Sequence, residues 1–251
     1  MNIKTGDLIE LGEHLLLCGD AADRDDVTKL LAGREINLIL TDPPYGVAYV
    51  ESKEGFVQSI AKPKRIKGDQ IQTEESYRAF TTAWLKQAQL FMAKKNSVYI
   101  FNSDKMLFAL REGIQEAGFK FAQLLIWAKT HAVVGRMDYL PQHELIAYGW
   151  HGTHKFHKSK DKSILIYPKP SKSKWHPTMK PIGLLRRIIL NSSKLGDTVY
   201  DPFGGSGSTL MACEQTKRKC LMIEIDPEYC KTIVELWEMF TKKKAEFYEH
   251  T

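Results

Sequence analysis

An apolar run, Ile36 to Thr41, leads straight into Asp42, Pro43, Pro44 and Tyr45. Consecutive prolines cannot continue a central strand and each fixes φ, so the carbonyls around them are held rigidly at the strand's carboxyl end. That is the edge at which open α/β sheets bind ligands. An aromatic amino group is a poor nucleophile because its lone pair is delocalised into the ring, and attack requires the nitrogen to be drawn toward tetrahedral geometry. Two fixed acceptors can hold its two N–H bonds, and the Asp42 carboxylate and the Pro43 carbonyl are such a pair. Methyl transfer from a sulfonium to a nitrogen held this way is an in-line displacement, accelerated by positioning and electrostatics and needing no metal. Tyr45 offers a face on which a base that has left its duplex can stack. Taken alone, Asp-Pro-Pro-Tyr is also an ordinary turn; its place at a strand end beside a second motif favours chemistry.

The second motif is TVYDPFGGSGSTLMACEQ, where a short apolar strand passes through a glycine-rich turn into a helix, the geometry that lets backbone approach a ligand at a helix N-terminus. A phosphate-binding P-loop would need Lys where Gly207 stands, and a dinucleotide turn would need Gly where Leu210 stands. The next strand, CLMIEID, ends with Glu224 about 20 residues beyond the glycines, a position from which a carboxylate can accept from both ribose hydroxyls of a nucleoside. The third strand of such a half-site is missing downstream, and the N-terminus can supply it: HLLLCGDAAD ends an apolar strand at Asp20, placed to accept from an adenine amino group, with the backbone of Ala21 to donate to a ring nitrogen. The nucleoside site is then assembled from both chain ends, a circular permutation.

The elements that must position these residues alternate between strand and helix, which predicts a mostly parallel sheet covered on both faces. Strands are expected at 14–18, 37–41, 97–101, 122–127, 143–148, 198–201 and 220–225, and helices at 24–32, 74–92, 104–117, 181–193, 208–216 and 227–242. No helix separates 122–127 from 143–148, so that pair is expected to run antiparallel at one edge. The fold class is α/β, a single seven-stranded Rossmann-like domain over residues 1–251. Two long stretches, 46–73 and 151–175, fall outside the alternation, and loops of that length in a compact domain are usually functional.

Both stretches are basic. The net charge is +6, and residues 151–180 carry eight lysines against one acid, Asp161. A second cluster is formed by Lys62, Lys64, Arg65 and Lys67. A polyanionic partner is favoured over a solvated face. His151, His154, His157 and His176 have no neighbouring cysteine and no familiar metal spacing. Trp84 and Trp127 read as core, whereas Phe56 and Tyr77 are placed to close over a target. Cys18, Cys213, Cys220 and Cys230 contain no CxxC pair and suit buried thiols; with no apolar run of about 18 residues and no secretion signal at the start, the expectation is a cytoplasmic protein that does not span a membrane.

Together DPPYG at 42–46, HPTMKP at 176–181, DPFGGSGST at 201–209, IEIDPEY at 223–229 and the opening HLLLCGDA resemble the permuted beta group of bacterial and phage DNA amino-methyltransferases, in the expected order over nearly the whole chain. The resemblance implies S-adenosyl-L-methionine as cofactor and a flipped base in double-stranded DNA as substrate. It implies a catalytic pocket of Asp42, Pro43, Pro44 and Tyr45. Phe203, Gly204, Gly205 and Gly207, with Asp201 and Ser206 in the same turn, would line the methionine side; Glu224 with Ile225, and Asp20 with Ala21, would hold ribose and adenine; Thr178 and Lys180 would bind the methionine carboxylate. Family members usually carry a larger target-recognition region than 151–175, so a short target or a partner's help is implied. Pairing into homodimers and a cognate restriction endonuclease are family expectations.

Adenine N6 is the expected target, because N4-cytosine enzymes of this group more often carry Ser at the position of Asp42. A C5-cytosine enzyme needs a nucleophilic thiol, typically after proline, and the chain has no Pro-Cys. A catalytically silent DNA-binding subunit would not need intact cofactor and DPPY motifs. Lys155, Lys158, Lys160 and Lys162, with the 62–65 cluster, are expected to contact phosphates and make affinity fall with salt. Replacing Lys158, Lys160 and Lys162 with Glu should weaken DNA binding and leave cofactor binding alone; unchanged DNA affinity at moderate salt would count against this assignment.

Overall fold

A computed structural model describes residues 1–45, 73–132, 138–158, 160–170 and 179–248. In chain order the elements are β1 (Leu8–Leu11), β2 (His14–Cys18), α1 (Arg24–Leu31), β3 (Ile36–Thr41), α2 (Glu74–Gln89), β4 (Met92–Asn102), α3 (Leu107–Glu116), β5 (Lys120–Ala128) and β6 (His143–Trp150), followed by β7 (Ile164–Ile166), α4 (Ile182–Ser192), β8 (Thr198–Asp201), α5 (Ser208–Thr216), β9 (Lys219–Glu224), α6 (Pro227–Thr241) and β10 (Glu246–Phe247). All ten strands join one sheet in the order β10-β1-β2-β9-β8-β3-β4-β6-β5-β7.

The middle strands are apolar on both faces because both are covered. Along β2, β4 and β9 alternate residues divide between two cores. Leu16, Tyr99, Phe101 and Met222 face one that includes Leu184, Ile188, Leu210 and Trp237 of α4, α5 and α6. Leu15, Leu17, Val98, Ile100 and Ile223 face another that includes Leu30, Trp84, Leu85, Leu110 and Ile114 of α1, α2 and α3. Helix starts follow capping chemistry: Asp23 accepts from the amides of Asp25 and Asp26, Thr73 from that of Ser76, and Asp226 from that of Glu228.

The sheet corrects the expected layout in two ways. It holds ten strands among the described residues where seven were expected, because β1, β7 and β10 have four, three and two residues, too few to show periodicity. The antiparallel strand is not at the edge: β6 lies between β4 and β5 and runs against both, so β5 again runs parallel to β4, with β7 parallel beyond it. At the other end β1 runs against β2 and β10 against β1. The expected meeting of the chain ends is present, with β2 pairing in parallel with β9 and Cys18 opposite Glu224.

The strand order reverses at β3 and β8, which pair in parallel through Leu38–Val199 and Ile39–Tyr200. The chain leaves β3 for β4 on one side and β8 for β9 on the other, opening the crevice that ligands use in such sheets. On the far side of β4, the β5–β6 pair is so close that a Cβ on Gly149 would sit 1.8 Å from the Lys120 carbonyl oxygen. Gly149→Ala must therefore push β5 from β6, at a cost of about 2 kcal/mol or more. Thermal unfolding should shift down by roughly 5 °C; an unchanged midpoint would refute the close approach.

Candidate active site

The crevice forms a cavity of about 340 Å³ whose wall joins the two sequence motifs: Asp42, Pro43, Pro44 and Tyr45 on one side, and Asp201, Phe203, Gly204, Gly205, Ser206, Glu224, Ile225, Asp20 and Ala21 on the other. The junction is a single buried bond, the Thr41 hydroxyl donating to Asp201 Oδ1 at 2.7 Å. The Phe203 amide donates to the same oxygen at 3.2 Å. Burial nonetheless pushes the Asp201 carboxyl up to about 7, with the Asp42 charge adding to the effect and the hydrogen bonds opposing it.

At the glycine turn, Glu224 is 7% exposed and accepts from the amides of Gly205 at 2.7 Å and Asp226 at 2.9 Å. Two amides thus fix the orientation of its carboxylate, although burial still raises its pKa. Gly205 has φ +50 and a Cβ there would meet nothing but the Phe203 carbonyl at 3.8 Å, so this glycine leaves the turn open. The other two glycines serve packing: a Cβ on Gly204 would meet the Met222 sulfur at 2.8 Å, and one on Gly207 would meet Ile233 at 3.3 Å. Gly207, expected at the cofactor, is not part of the cavity wall; its φ of +74 lets the chain turn into α5. Phe203 stands edge-on to Trp84 at 5.4 Å between ring centres. Asp20 accepts from the Ala22 amide through Oδ1 at 2.8 Å, and its own amide donates to Asp26.

At the DPPY end the structure adds a charge cluster. Lys180 donates to Asp42 Oδ2 and lies 3.2 Å from Glu144 Oε2. Glu144 is also paired with Lys129 at 2.8 Å. The Tyr45 hydroxyl donates to Asp42 Oδ1 at 2.5 Å. The two lysine side chains are 10% and 6% exposed, so each cation is nearly dry and depends on its carboxylates. Burial opposes the Lys180 charge, but Asp42 and Glu144 outweigh it and hold the ammonium well above its ordinary range. Burial pushes Glu144 up, yet its two lysines win and keep it ionised at lower pH than usual. For Asp42 the balance goes the other way: burial, helped by Glu144, raises its carboxyl against the pull of Lys180.

Lys180, which the resemblance puts at the methionine carboxylate, lines the cavity with its ammonium engaged by two carboxylates of the chain itself. Tyr77 is fully buried with its hydroxyl 3.2 Å from Asn102 Oδ1, so it cannot close over a target. Trp84 and Trp127 are buried as expected. All four cysteines are buried and free. Lys155, Lys158, Lys160 and Lys162 are exposed but outside the cavity wall, because β6 carries the chain away from the catalytic edge and it returns only through β7. The returning segment is clipped to α4, with the His157 amide donating to the Asn191 carbonyl at 2.6 Å and Asp161 gripped by Arg187 and by Asn191. Among the described residues of 151–175, Lys169 lines the cavity. Lys62, Lys64, Arg65, Thr178, Phe56 and His176 lie outside the described residues.

Residues 36–235 match the model of the N6/N4 DNA methylase family, and the chain belongs to that family. It is therefore a DNA amino-methyltransferase of the N6/N4 type. It is 27% identical to the Type II methyltransferase M2.MboI of Moraxella bovis, over 77% of each chain. Among solved structures it resembles the M1.HpyAVI–SAM complex, with TM-score 0.64 and 22% identity over 88% of this chain and 98% of the other. It also resembles the cytosine-N4-specific PvuII DNA methyltransferase, with TM-score 0.67 and 17% identity over 88% and 85%.

Asp201 gives a stability test. Its folded pKa of about 7 lies above the unfolded value of about 3.9, so its contribution to stability is fully present below about pH 4 and is lost as the pH rises through 7. Asp201→Asn keeps the oxygen that Thr41 needs and cannot ionise. In urea unfolding, the stability of the variant relative to the parent chain should rise between pH 4 and pH 7; a pH-independent difference would contradict the burial of this carboxyl.

Proposed function

We propose that the chain methylates the exocyclic N6 of an adenine flipped out of double-stranded DNA, using S-adenosyl-L-methionine, as the modification half of a restriction–modification pair. The observation that carries the adenine reading is the acidic side chain of Asp42 at the end of β3, where N4-cytosine enzymes of the group more often have serine. The cofactor fits the residues present: a buried Glu224 fixed by two amides suits ribose hydroxyls, Gly205 leaves room beside it, Asp20 and Ala21 suit adenine, and Phe203, Ser206 and Ile225 complete the wall. When bound, the cofactor supplies an electrophilic methyl on a sulfonium.

Asp42 accepts one N–H of the target amino group and the Pro43 carbonyl the other, drawing the nitrogen lone pair out of the ring. Pro43 and Pro44 hold that carbonyl rigid. Tyr45 supplies a stacking face, and its hydroxyl, donating to Asp42 Oδ1, fixes the carboxylate's rotation. Phe101 and Trp127 give the same cavity apolar walls that exclude water from the nitrogen. The proton released when the nitrogen gains a methyl is taken by Asp42, whose raised pKa suits a base. Lys169 supplies phosphate contacts close to the target, the lysines at 155–162 reach phosphates farther along the flank, and the 62–65 cluster adds further phosphate contacts.

Incubation with mixed-sequence duplex DNA and methyl-labelled cofactor should yield N6-methyladenine, identified by mass in the digested nucleosides. Asp42→Ala should reduce labelling by at least about 100-fold. N4-methylcytosine in the digest would replace the adenine assignment with its competitor, and labelling by Asp42→Ala at the parent rate would end the mechanism.

A further inference from the structure

Neither motif explains Glu144. Its side chain shares a strand face with Ile146 and Tyr148, and at that face's start an apolar residue would pack more cheaply. It stands instead opposite Trp127 in β5, two residues before Lys129, and reaches two buried ammonium groups. With Asp42 and Lys180 it completes a chain of alternating charge, Lys129–Glu144–Lys180–Asp42, whose formal sum is zero.

We propose that Glu144 is a positioning residue for methyl transfer: by sharing Lys180 with Asp42 it limits how much of that positive charge falls on Asp42, so that the Asp42 oxygens keep accepting strength for an amino group. The geometry states the problem. Asp42 Oδ2 already holds Lys180 and Oδ1 already holds Tyr45, so any N–H of a substrate competes with both donors. A Lys180 neutralised by Asp42 alone would grip that oxygen more closely and make it a weaker base. Glu144 at 3.2 Å draws the ammonium back, and Lys129 at 2.8 Å in turn keeps Glu144 from taking Lys180 completely. The rings of Phe101 and Tyr45 lie 5.2 Å and 5.8 Å from the Lys180 nitrogen, and the Trp127 ring lies 5.1 Å from that of Lys129, so both cations are also braced against aromatic faces. The other ionisable groups facing Asp42 are Tyr45 beside it, Asp201 at the end of β8, and Lys169 across the cavity, and Tyr77 lies behind Tyr45.

The proposal rests on the methyltransferase reading for its kinetic consequence but not for its electrostatic one, and the two are tested apart. In the chain without cofactor or DNA, the Asp42 carboxyl is followed by ¹³C NMR titration, its signal assigned by loss in Asp42→Asn. Glu144→Gln should lower the Asp42 midpoint, because Lys180 becomes wholly its own. Lys129→Met should raise it, because Glu144 is freed to draw on Lys180. Opposite movement is the signature, since a merely structural role would shift neither or both together. In steady-state methylation, Glu144→Gln should move the acid limb of the rate profile to lower pH and cut kcat about tenfold, with the KM for DNA and for cofactor changed less than about threefold. Glu144→Asp should recover most of the rate, and it serves as the reporter if the glutamine variant does not fold. Unmoved or same-direction Asp42 midpoints overturn the proposal whatever the activity. A parent chain that methylates no amino group overturns the functional reading instead.

Discussion

The catalytic edge depends on one constraint: β3 and β8 run side by side and then part in opposite directions. Their pairing sets Thr41 against Asp201, and the bond between these side chains fixes where both following segments begin. One segment is a pair of prolines that cannot bend back into the sheet, and the other is a glycine turn that must. The two motif segments are thus kept in register by strand geometry, not by a flexible loop. The bond sits in the dry interior, which raises the Asp201 carboxyl; a carboxylic acid at that junction adds less negative charge beside Asp42 than an ionised one would.

The same dryness explains why the DPPY end carries lysines. A lone buried carboxylate would take up a proton and lose accepting power. A lone buried lysine beside it would keep the carboxylate ionised but compete for its oxygens. The alternating chain from Lys129 to Asp42 lies between these extremes, since each internal charge is divided between two neighbours. Tyr45 contributes a neutral donor, and burial together with the neighbouring carboxylates keeps its hydroxyl protonated. The arrangement spreads the charge around a buried acid over several neighbours.

Much of this was legible in the sequence, and the limits have physical causes. Strands such as β2, β8 and β9 are short apolar runs bounded by turn chemistry, and their ends place Asp20, Asp201 and Glu224 at one edge by topology alone. β4 starts at Met92, well before the apolar run at 97, because Lys94 and Lys95 are solvent-facing while the backbone already pairs. Strands of two to four residues leave no periodic trace. The charge cluster was harder to see: Lys180 and Asp42 are 138 positions apart, and nothing local marks Glu144 except a carboxylate on an otherwise apolar strand face. That single anomaly in HELIAYGW was the available signal.

The basic stretch after β6 shows how composition can point to a polyanionic partner without placing the residues that would meet it. Eight lysines against one acid between 151 and 180 suggest a polyanion, but composition carries no direction, and the antiparallel course of β6 takes the first of them away from the cavity. The lone acid settles the path. Asp161 accepts from Arg187 and Asn191, and Arg187 holds its carboxyl far below the ordinary range. With the segment pinned against α4, the turn after β7 returns along β5 to the catalytic edge and brings Lys169 to the cavity wall. A charge that looks like an exception in a basic run thus anchors the run to α4, and the residue that reaches the cavity wall is set by strand direction rather than by local charge density.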